Sequence, residues 1–149
     1  MSWSLTVAAI IERQGRFLMV EETDGASPER VLNQPAGHVE PGESLLDAVR
    51  RETLEETGLR FEPEALLGVY QLRAHNGQDY TRVCFTGRVP EGGQAAPQDP
   101  DILACHWLDR EAIALRPRST MVLRCLDDYL AGRRWPLEVV DHFQSDRSD

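Results

Sequence analysis

Three glutamates in the middle of the chain, Glu52, Glu55 and Glu56, follow one another at helical spacing. Side chains three and four residues apart are neighbours on a helix surface, so these carboxylates lie within mutual reach. Like charges about 6 Å apart repel by roughly 0.7 kcal/mol in water and by about 3 kcal/mol at an effective dielectric of 20. Such a group is usually a solvated helix face, but clustered carboxylate oxygens are also the ligands that Mg²⁺ and Mn²⁺ prefer.

The position of the glutamates on the helix favours a metal site. On a helical wheel they continue the apolar stripe formed by Leu45, Ala48 and Val49. A helix built only for packing would continue that stripe with Leu or Ala. The C-terminal end of a helix is also the negative end of its dipole, which disfavours anions there. Because Arg50 and Arg51 point away from the centre of the stripe on the wheel, a divalent cation is the better candidate for compensating the charge.

The helix that carries the glutamates has clear start and end signals. Pro41-Gly42 predicts a turn, and Ser44 is a good N-cap with Asp47 in the capping-box position. Gly58 stands where a left-handed residue commonly ends a helix. Together these signals predict a helix from about Leu45 to Thr57.

The rest of the chain predicts strands with interspersed helices. Strand-like segments lie at 6–12, 17–22, 66–74, 79–89 and 102–108, with a short, irregular extended segment at 31–39. A second helix is predicted at 119–130, where Gly132 closes it. This order predicts one domain over residues 1–149, an α/β or α+β sandwich around a mixed sheet. The polar residues after about 141 predict a flexible tail.

Composition excludes several classes of function. The formal net charge of −9 disfavours binding to nucleic acid, and any anionic ligand then requires local cations. The apolar run 7–11 is too short for a membrane span, and residues 1–5 contain no basic signal-peptide region, so we expect a cytoplasmic protein. The widely spaced cysteines Cys84, Cys105 and Cys125 predict reduced thiols. A monomer and a homodimer are both compatible with the sequence.

A longer pattern surrounds the glutamates. From Gly37 to Leu59 the sequence reads GHVEPGESLLDAVRRETLEETGL. The types and spacing of these residues resemble the Nudix box of the MutT-like Nudix hydrolases, and the strand order on both sides of the segment also fits that family. One position departs from the box, since Thr53 stands where an aliphatic residue is usual. On the wheel Thr53 lies opposite the glutamates, so we expect this departure to affect packing more than metal binding.

The resemblance implies a fold and a metal site. The fold would be the α/β/α Nudix sandwich, with a mixed sheet and a loop–helix–loop catalytic motif. The Gly37 carbonyl, Glu52 and Glu56 would bind Mg²⁺ or Mn²⁺, with Glu55 as a further ligand or a water-orienting carboxylate. An ion pair between Glu43 and Arg51 would hold the loop against the helix.

The same resemblance implies hydrolysis of a phosphoanhydride bond in a small phosphorylated metabolite, for which a carboxylate removes a proton from the attacking water. Glu55 and Glu56 are candidates for this base. Asp101, on the loop before the last predicted strand, is another candidate, and Asp99 is the near alternative. An ordinary acidic loop is an equally good interpretation of these two aspartates.

Three segments, 17–22, 33–38 and 133–138, resemble bacterial phosphatases of this family. Those enzymes act on nucleoside tri- and diphosphates and on hydroxymethylpyrimidine pyrophosphate, and they release phosphate. Polar or aromatic side chains near the box and on the strands after it are candidates for binding such a substrate. The candidates are Gln34, His38, Arg73, Tyr80 and Arg82. For each of them, packing or a solvated surface position is the alternative.

Other functions remain compatible with the pattern. One is a Nudix pyrophosphatase that acts on a nucleotide sugar or dinucleotide such as ADP-ribose. Another is a non-catalytic Nudix module that binds a metabolite, and a third is an acidic interaction domain. The complete set of box glutamates favours an enzyme, and analysis of the products separates a phosphatase from a pyrophosphatase.

Overall fold

The computed structural model describes residues 3–25 and 27–147. Its strands are β1 (Trp3–Arg13), β2 (Arg16–Thr23), β3 (Arg30–Asn33), β4 (Ala36–His38), β5 (Glu62–Arg73), β6 (Asp79–Arg88) and β7 (Ala104–Leu108). Its helices are α1 (Leu45–Thr57), α2 (Arg110–Ile113) and α3 (Thr120–Leu130), followed by a 3₁₀ turn at Leu137–Val139.

The long strand β1 joins the two halves of the sheet. Most of its length pairs in parallel with β6, and its other edge pairs with β4 in antiparallel fashion. Its C-terminal end turns directly into β2, which is flanked by β3 and β7. Strand β5 extends the sheet beyond β6. The described strands therefore follow the order β3-β2-β1-β6-β5 and form the mixed sheet that the sequence predicts.

Two apolar layers cover the two faces of this sheet. Successive residues of a strand point to opposite faces, so Val7 and Ala8 enter different layers. Val7 packs with residues of α1, including Val49, in the first layer. Ala8 packs with residues of α3, including Leu126, in the second. The predicted α/β/α arrangement is therefore confirmed, with α1 and α3 on opposite faces.

The signals that bound α1 are confirmed atom by atom. The Ser44 hydroxyl accepts a hydrogen bond from the Asp47 N–H at 3.1 Å. Gly58 has a φ of 74° and donates its N–H to the Leu54 carbonyl at 2.8 Å. Positive φ is the conformation that glycine adopts without the steric cost of a side chain. Short-range contacts thus fix both ends of the helix.

The predicted position of Thr53 is wrong. Its side chain is fully buried on the same face as Glu56 and Thr57, and its hydroxyl donates to the Val49 carbonyl at 2.8 Å. Threonine differs from the usual aliphatic residue by one hydroxyl donor, and this bond within the helix satisfies that donor. A polar residue is therefore accepted inside the core beside the glutamates.

The other predicted elements are present with shifted ends. Strand β5 begins at Glu62 rather than at residue 66, and a register irregularity lies between Pro63 and Ala65. The short α2 and the 3₁₀ turn were not predicted. All three cysteines are free, as expected. No helix of the described residues is long and apolar enough to cross a membrane.

The C-terminal segment expected to be a flexible tail, about 141–149, has exposed residues without helix or strand from 141 to 147. Residues 148 and 149 lie outside the described residues. Flexibility of this segment stays a prediction.

Candidate active site

Gly37, on β4 in the segment that leads into α1, lies directly against that helix. This residue pairs with Val7 in the ladder between β4 and β1, and its missing side chain leaves room for the Glu52 carboxylate. A Cβ at position 37 would overlap that carboxylate directly. Glycine is therefore required here by the space between two elements rather than by an unusual backbone angle.

Arg51 connects the loop to the helix. Its Nε donates to Glu43 Oε2 at 2.7 Å and its Nη2 to Glu43 Oε1 at 2.9 Å, so the ion pair implied by the resemblance is present and bidentate. The same Nη2 donates to the His38 carbonyl at 3.0 Å. The hydrogen bonds to Arg51 hold the pKa of Glu43 below its usual range despite burial.

Arg51 also reaches the glutamates. Its Nη1 donates to Glu52 Oε1 at 2.8 Å and to Glu55 Oε2 at 3.3 Å. The expectation that Arg51 points away from the glutamates is wrong, because a helical wheel places Cβ atoms and ignores the length of the arginine side chain. Part of the repulsion among the glutamates is therefore compensated within the protein.

Glu56 is the most deeply buried of the three glutamates, with 7% of its surface exposed. Its Oε1 accepts the Ala36 N–H at 2.9 Å. Burial, together with repulsion by Glu22, Glu52 and Asp99, raises the pKa of Glu56 to about 9 despite the opposing effect of the Ala36 bond. Without a cation, this carboxyl group holds a proton at neutral pH.

Glu52 experiences a weaker form of the same environment. Burial raises its pKa, the hydrogen bond and charge of Arg51 oppose that shift, and Glu55 and Asp99 add repulsion. We call Glu22, Glu52, Glu55, Glu56 and Asp99 the acidic cluster. Two of its members come from outside α1, since Glu22 directly follows the buried residues of β2 and Asp99 lies in the loop before β7.

The aspartates of that loop differ in their relation to the cluster. Asp99 interacts electrostatically with both Glu52 and Glu56. Asp101 is exposed, and its N–H donates to Asp99 Oδ1 at 2.9 Å. The structure thus places Asp99, the near alternative in the sequence, among the carboxylates that act on Glu52 and Glu56, and it shows no such interaction for Asp101 within the described residues.

Glu22 is a member of the cluster that sequence reasoning missed. Strand alternation could have found it, because Leu18 and Glu22 lie on one face of β2. Leu18 packs in the layer that also contains α1 residues. A carboxylate two strand positions beyond an apolar run on that face points toward the helix that carries the glutamates.

The acidic cluster has the donor chemistry of a site for hard divalent cations, since its side chains offer oxygen ligands and excess negative charge. Yet no three His, Cys, Asp or Glu side chains within 3–25 and 27–147 converge on a common point. Instead, Glu52 and Glu55 form ion pairs with Arg51, and Glu22 accepts a hydrogen bond from Asn33.

Gln34 and Arg82, two candidates for substrate binding, are buried together. Arg82 Nη1 donates to Gln34 Oε1 at 2.7 Å and its Nη2 to Asn33 Oδ1 at 2.9 Å. Gln34 Nε2 in turn donates to the Val122 carbonyl of α3 at 3.0 Å. Only 4% of Arg82 and 1% of Gln34 is exposed. These bonds tie the segment before Gly37 to the sheet and to α3.

The remaining candidates lie closer to solvent. The rings of His38 and Tyr80 are neighbours, with centroids 6.5 Å apart. Arg73 pairs with Asp79 at 2.9 Å at the end of the sheet. Tyr80 and Arg73 line a surface groove of about 300 Å³ there, together with Trp3. Tyr80 therefore lies between His38, next to Gly37, and the Arg73–Asp79 ion pair at the end of the sheet.

Known proteins share this sequence pattern and this geometry. The model of the NUDIX domain family matches residues 3–126. The chain belongs to the Nudix family. This Nudix protein is 36% identical over 141 residues to the phosphatase NudJ of Escherichia coli (strain K12), an alignment that covers 93% of this chain and 91% of that protein. The predicted resemblance to the bacterial phosphatases is confirmed.

Solved structures give the same result. A NUDIX hydrolase from Nitrosomonas europaea superposes on the Nudix protein with a TM-score of 0.87 at 40% identity, covering 94% of this chain and 97% of that one. The NUDIX domain of Shewanella oneidensis NrtR, solved with ADP ribose, shares the fold with a TM-score of 0.73 at 19% identity, and 89% of each chain is covered. The Nudix protein is a phosphohydrolase, and hydrolases of this family generally use divalent metal ions.

Proposed function

We propose that residues 1–149 form one Nudix domain that depends on Mg²⁺ or Mn²⁺ and releases phosphate from nucleoside tri- or diphosphates or from hydroxymethylpyrimidine pyrophosphate. The observation that carries this proposal is the buried Glu56, surrounded by other carboxylates beside Gly37. The relationship to NudJ over 93% of the chain supports phosphate as the product.

In this proposal, the metal ligands are the Gly37 carbonyl, Glu52 and Glu56, with Glu55 as a ligand or as the carboxylate that orients water. When bound by these residues, a metal would neutralise the phosphate chain, polarise a phosphorus–oxygen bond and lower the pKa of water. Arg51 positions Glu52 and Glu55 through its Nη1, while Glu43 fixes Arg51 in turn.

The proton and the leaving group have defined destinations. A water oxygen attacks the phosphorus in line, and the bond to the bridging oxygen breaks, so that this oxygen departs with the bonding electron pair as a phosphate oxygen of the other product. Glu56 or Glu55 accepts the proton of that water, and Asp99 or Asp101 is the alternative acceptor. Of the two aspartates, Asp99 is the stronger candidate for this base, because its charge already interacts with Glu56.

For the organic part of the substrate, we propose contacts with His38 and Tyr80. Their rings are neighbours on the exposed side of the segment that contains Gly37. Aromatic faces of this kind stack on a pyrimidine or purine ring. We assign Gln34 and Arg82 the supporting role of holding this segment in place, since both side chains are buried.

A substrate panel tests the proposal. Nucleoside tri- and diphosphates, hydroxymethylpyrimidine pyrophosphate and ADP-ribose are incubated with Mg²⁺ or Mn²⁺, and phosphate, pyrophosphate and nucleoside monophosphate are measured separately. We expect phosphate as the product and no turnover in EDTA. Release of pyrophosphate from triphosphates, or of monophosphates from ADP-ribose as the best substrate, would replace the proposed function by a pyrophosphatase.

A further inference from the structure

All 16 basic side chains of this chain are arginines. The guanidinium group presents paired N–H donors that match phosphate oxygens, so arginines beside the acidic cluster are the candidates for gripping an anionic substrate. Arg51, Arg82 and Arg118 each bond to a member of the cluster or to Asn33, which bonds to Glu22.

Two of these arginines, Arg51 and Arg82, already bind other groups of the protein. The donors of Arg51 face Glu43, Glu52, Glu55 and the His38 carbonyl. Arg82 is nearly inaccessible and faces the amide oxygens of Asn33 and Gln34. Arg51 cannot take a phosphate without breaking bonds that hold the loop against α1. The Nε of Arg82 has no hydrogen-bond partner within the described residues, but its guanidinium group is too deeply buried to meet a phosphate.

Arg118 differs from both. Its Nη1 lies 2.8 Å from Glu22 Oε2, and 37% of its side chain is exposed. Its backbone N–H donates to the Leu32 carbonyl at 2.8 Å, which fixes the residue to the outer edge of β3. The side chain can therefore move while its attachment point stays in place.

The backbone after Arg118 adds to this preference for anions. Ser119 is the N-cap of α3, and its hydroxyl makes no capping hydrogen bond. The first N–H groups of a helix carry partial positive charge, which favours anions at this end. The partly exposed guanidinium group that pairs with Glu22 therefore belongs to the residue directly before the N-cap of α3.

We propose that Arg118 binds the phosphate chain of the substrate, and that Glu22 holds its guanidinium group beside the acidic cluster until a phosphate takes the place of the carboxylate. The inference rests on the proposed function, because it requires a phosphorylated ligand at the cluster. It adds a binding residue that lies outside the Nudix box, on the segment that covers the edge of β3.

The exchange has a measurable consequence in the absence of metal. In this proposal Glu22 and a phosphate compete for the guanidinium donors of Arg118. Removing the charge of Glu22 and removing the donors of Arg118 should therefore change the affinity for pyrophosphate in opposite directions. Glu22→Gln removes the competing charge and is expected to strengthen binding of inorganic pyrophosphate in EDTA by about threefold or more. Arg118→Gln removes the donor and is expected to weaken that binding.

Steady-state kinetics and pyrophosphate binding by calorimetry test the inference. Arg118→Gln is expected to raise KM for the best substrate of the panel about tenfold, with kcat changed less than threefold, and Arg118→Lys to recover part of the loss. Arg30→Gln is the matched control, since Arg30 pairs with Glu21 at 3.5 Å on the neighbouring position of β2. Its KM is expected within about twofold of the wild type.

The outcomes separate the two proposals. If the wild type hydrolyses the panel but Arg118→Gln and Arg30→Gln have the same KM, Arg118 does not bind phosphate and the proposed function stands. If the wild type hydrolyses none of the substrates, the proposed function fails, and pyrophosphate calorimetry still tests Arg118. Should Arg118→Gln fold poorly in a thermal melt, the opposite shift expected for Glu22→Gln decides, and its absence overturns the inference.

Discussion

Two buried carboxylates of this protein have almost the same exposure and opposite electrostatics. Glu21, on β2, is 5% exposed, and its pKa is lowered to about 2, first by the hydrogen bond with His106 at 2.7 Å and also by Arg116, against the effect of burial. Glu56, on α1, is 7% exposed, and burial with neighbouring carboxylates raises its pKa to about 9.

The difference shows that burial alone does not fix the state of a carboxyl group. Glu21 is charged because His106 hydrogen-bonds to its carboxylate and because the guanidinium groups of Arg116 at 3.1 Å and Arg30 at 3.5 Å place positive charge beside it. Glu56 lacks such cations and is surrounded by acidic residues instead. The partners of Glu21 stabilise the fold. The carboxylates around Glu56 have too little positive charge beside them, and an external cation can supply it.

The largest expected effect breaks the second arrangement. We expect Glu56→Gln to lower kcat on the order of a hundredfold or more, because a proposed metal ligand and proton acceptor is lost. In EDTA at neutral pH the same variant is expected to melt at a higher temperature than the wild type, because Glu56 must take up a proton on folding and glutamine does not. Near wild-type turnover would contradict the assignment, and Glu91→Gln, on an exposed loop, is the control.

Glu21→Gln breaks the first arrangement. We expect it to lower the free energy of unfolding by about 2 kcal/mol at pH 7, because Arg116 and His106 lose their buried anion. The folded pKa lies below the usual value of 4.5, so the stabilisation is present above pH 4.5 and is lost as the pH falls toward 2. Urea titrations at pH 7 and pH 3 measure this, and equal losses at both values would refute the ion-pair explanation.

Gly37→Ala tests the contact between the loop and the helix. The added methyl group overlaps the Glu52 carboxylate, so we expect kcat/KM to fall about tenfold while the protein stays folded. Glu52→Gln and the double variant complete a cycle. Because the methyl group acts by displacing Glu52, the two losses are expected to be less than additive, and strict additivity would show that Gly37 acts elsewhere.

The smallest expected effect is the pH dependence of stability due to Glu56, which is opposite in sign to that of Glu21. The folded pKa of Glu56 lies above its usual value, so its contribution makes the metal-free protein less stable as the pH rises from 4.5 toward 9. We expect the melting temperature of Glu56→Gln in EDTA to decline less over this range than that of the wild type. A steeper decline in the variant would reverse the sign assigned to Glu56.

The sequence by itself determined α1 and the residues of the Nudix box. Ser44, Asp47 and Gly58 act within one helical turn of the positions they cap, so their signals are readable without tertiary structure. The three glutamates share a face for the same reason, because helical spacing fixes it. The mixed sheet also followed, since strands and helices alternated in recognisable order.

Only the tertiary structure decided which side chains meet the glutamates. Glu22 and Asp99 reach Glu56 across large separations in sequence, and Arg82 proved to be buried against the amides of Asn33 and Gln34. Residue type and local spacing cannot reveal such neighbours, because strand register and the direction of long side chains set them. The opposite states of Glu21 and Glu56 arise for the same reason: a carboxyl group's pKa depends on the charges that the fold brings beside it.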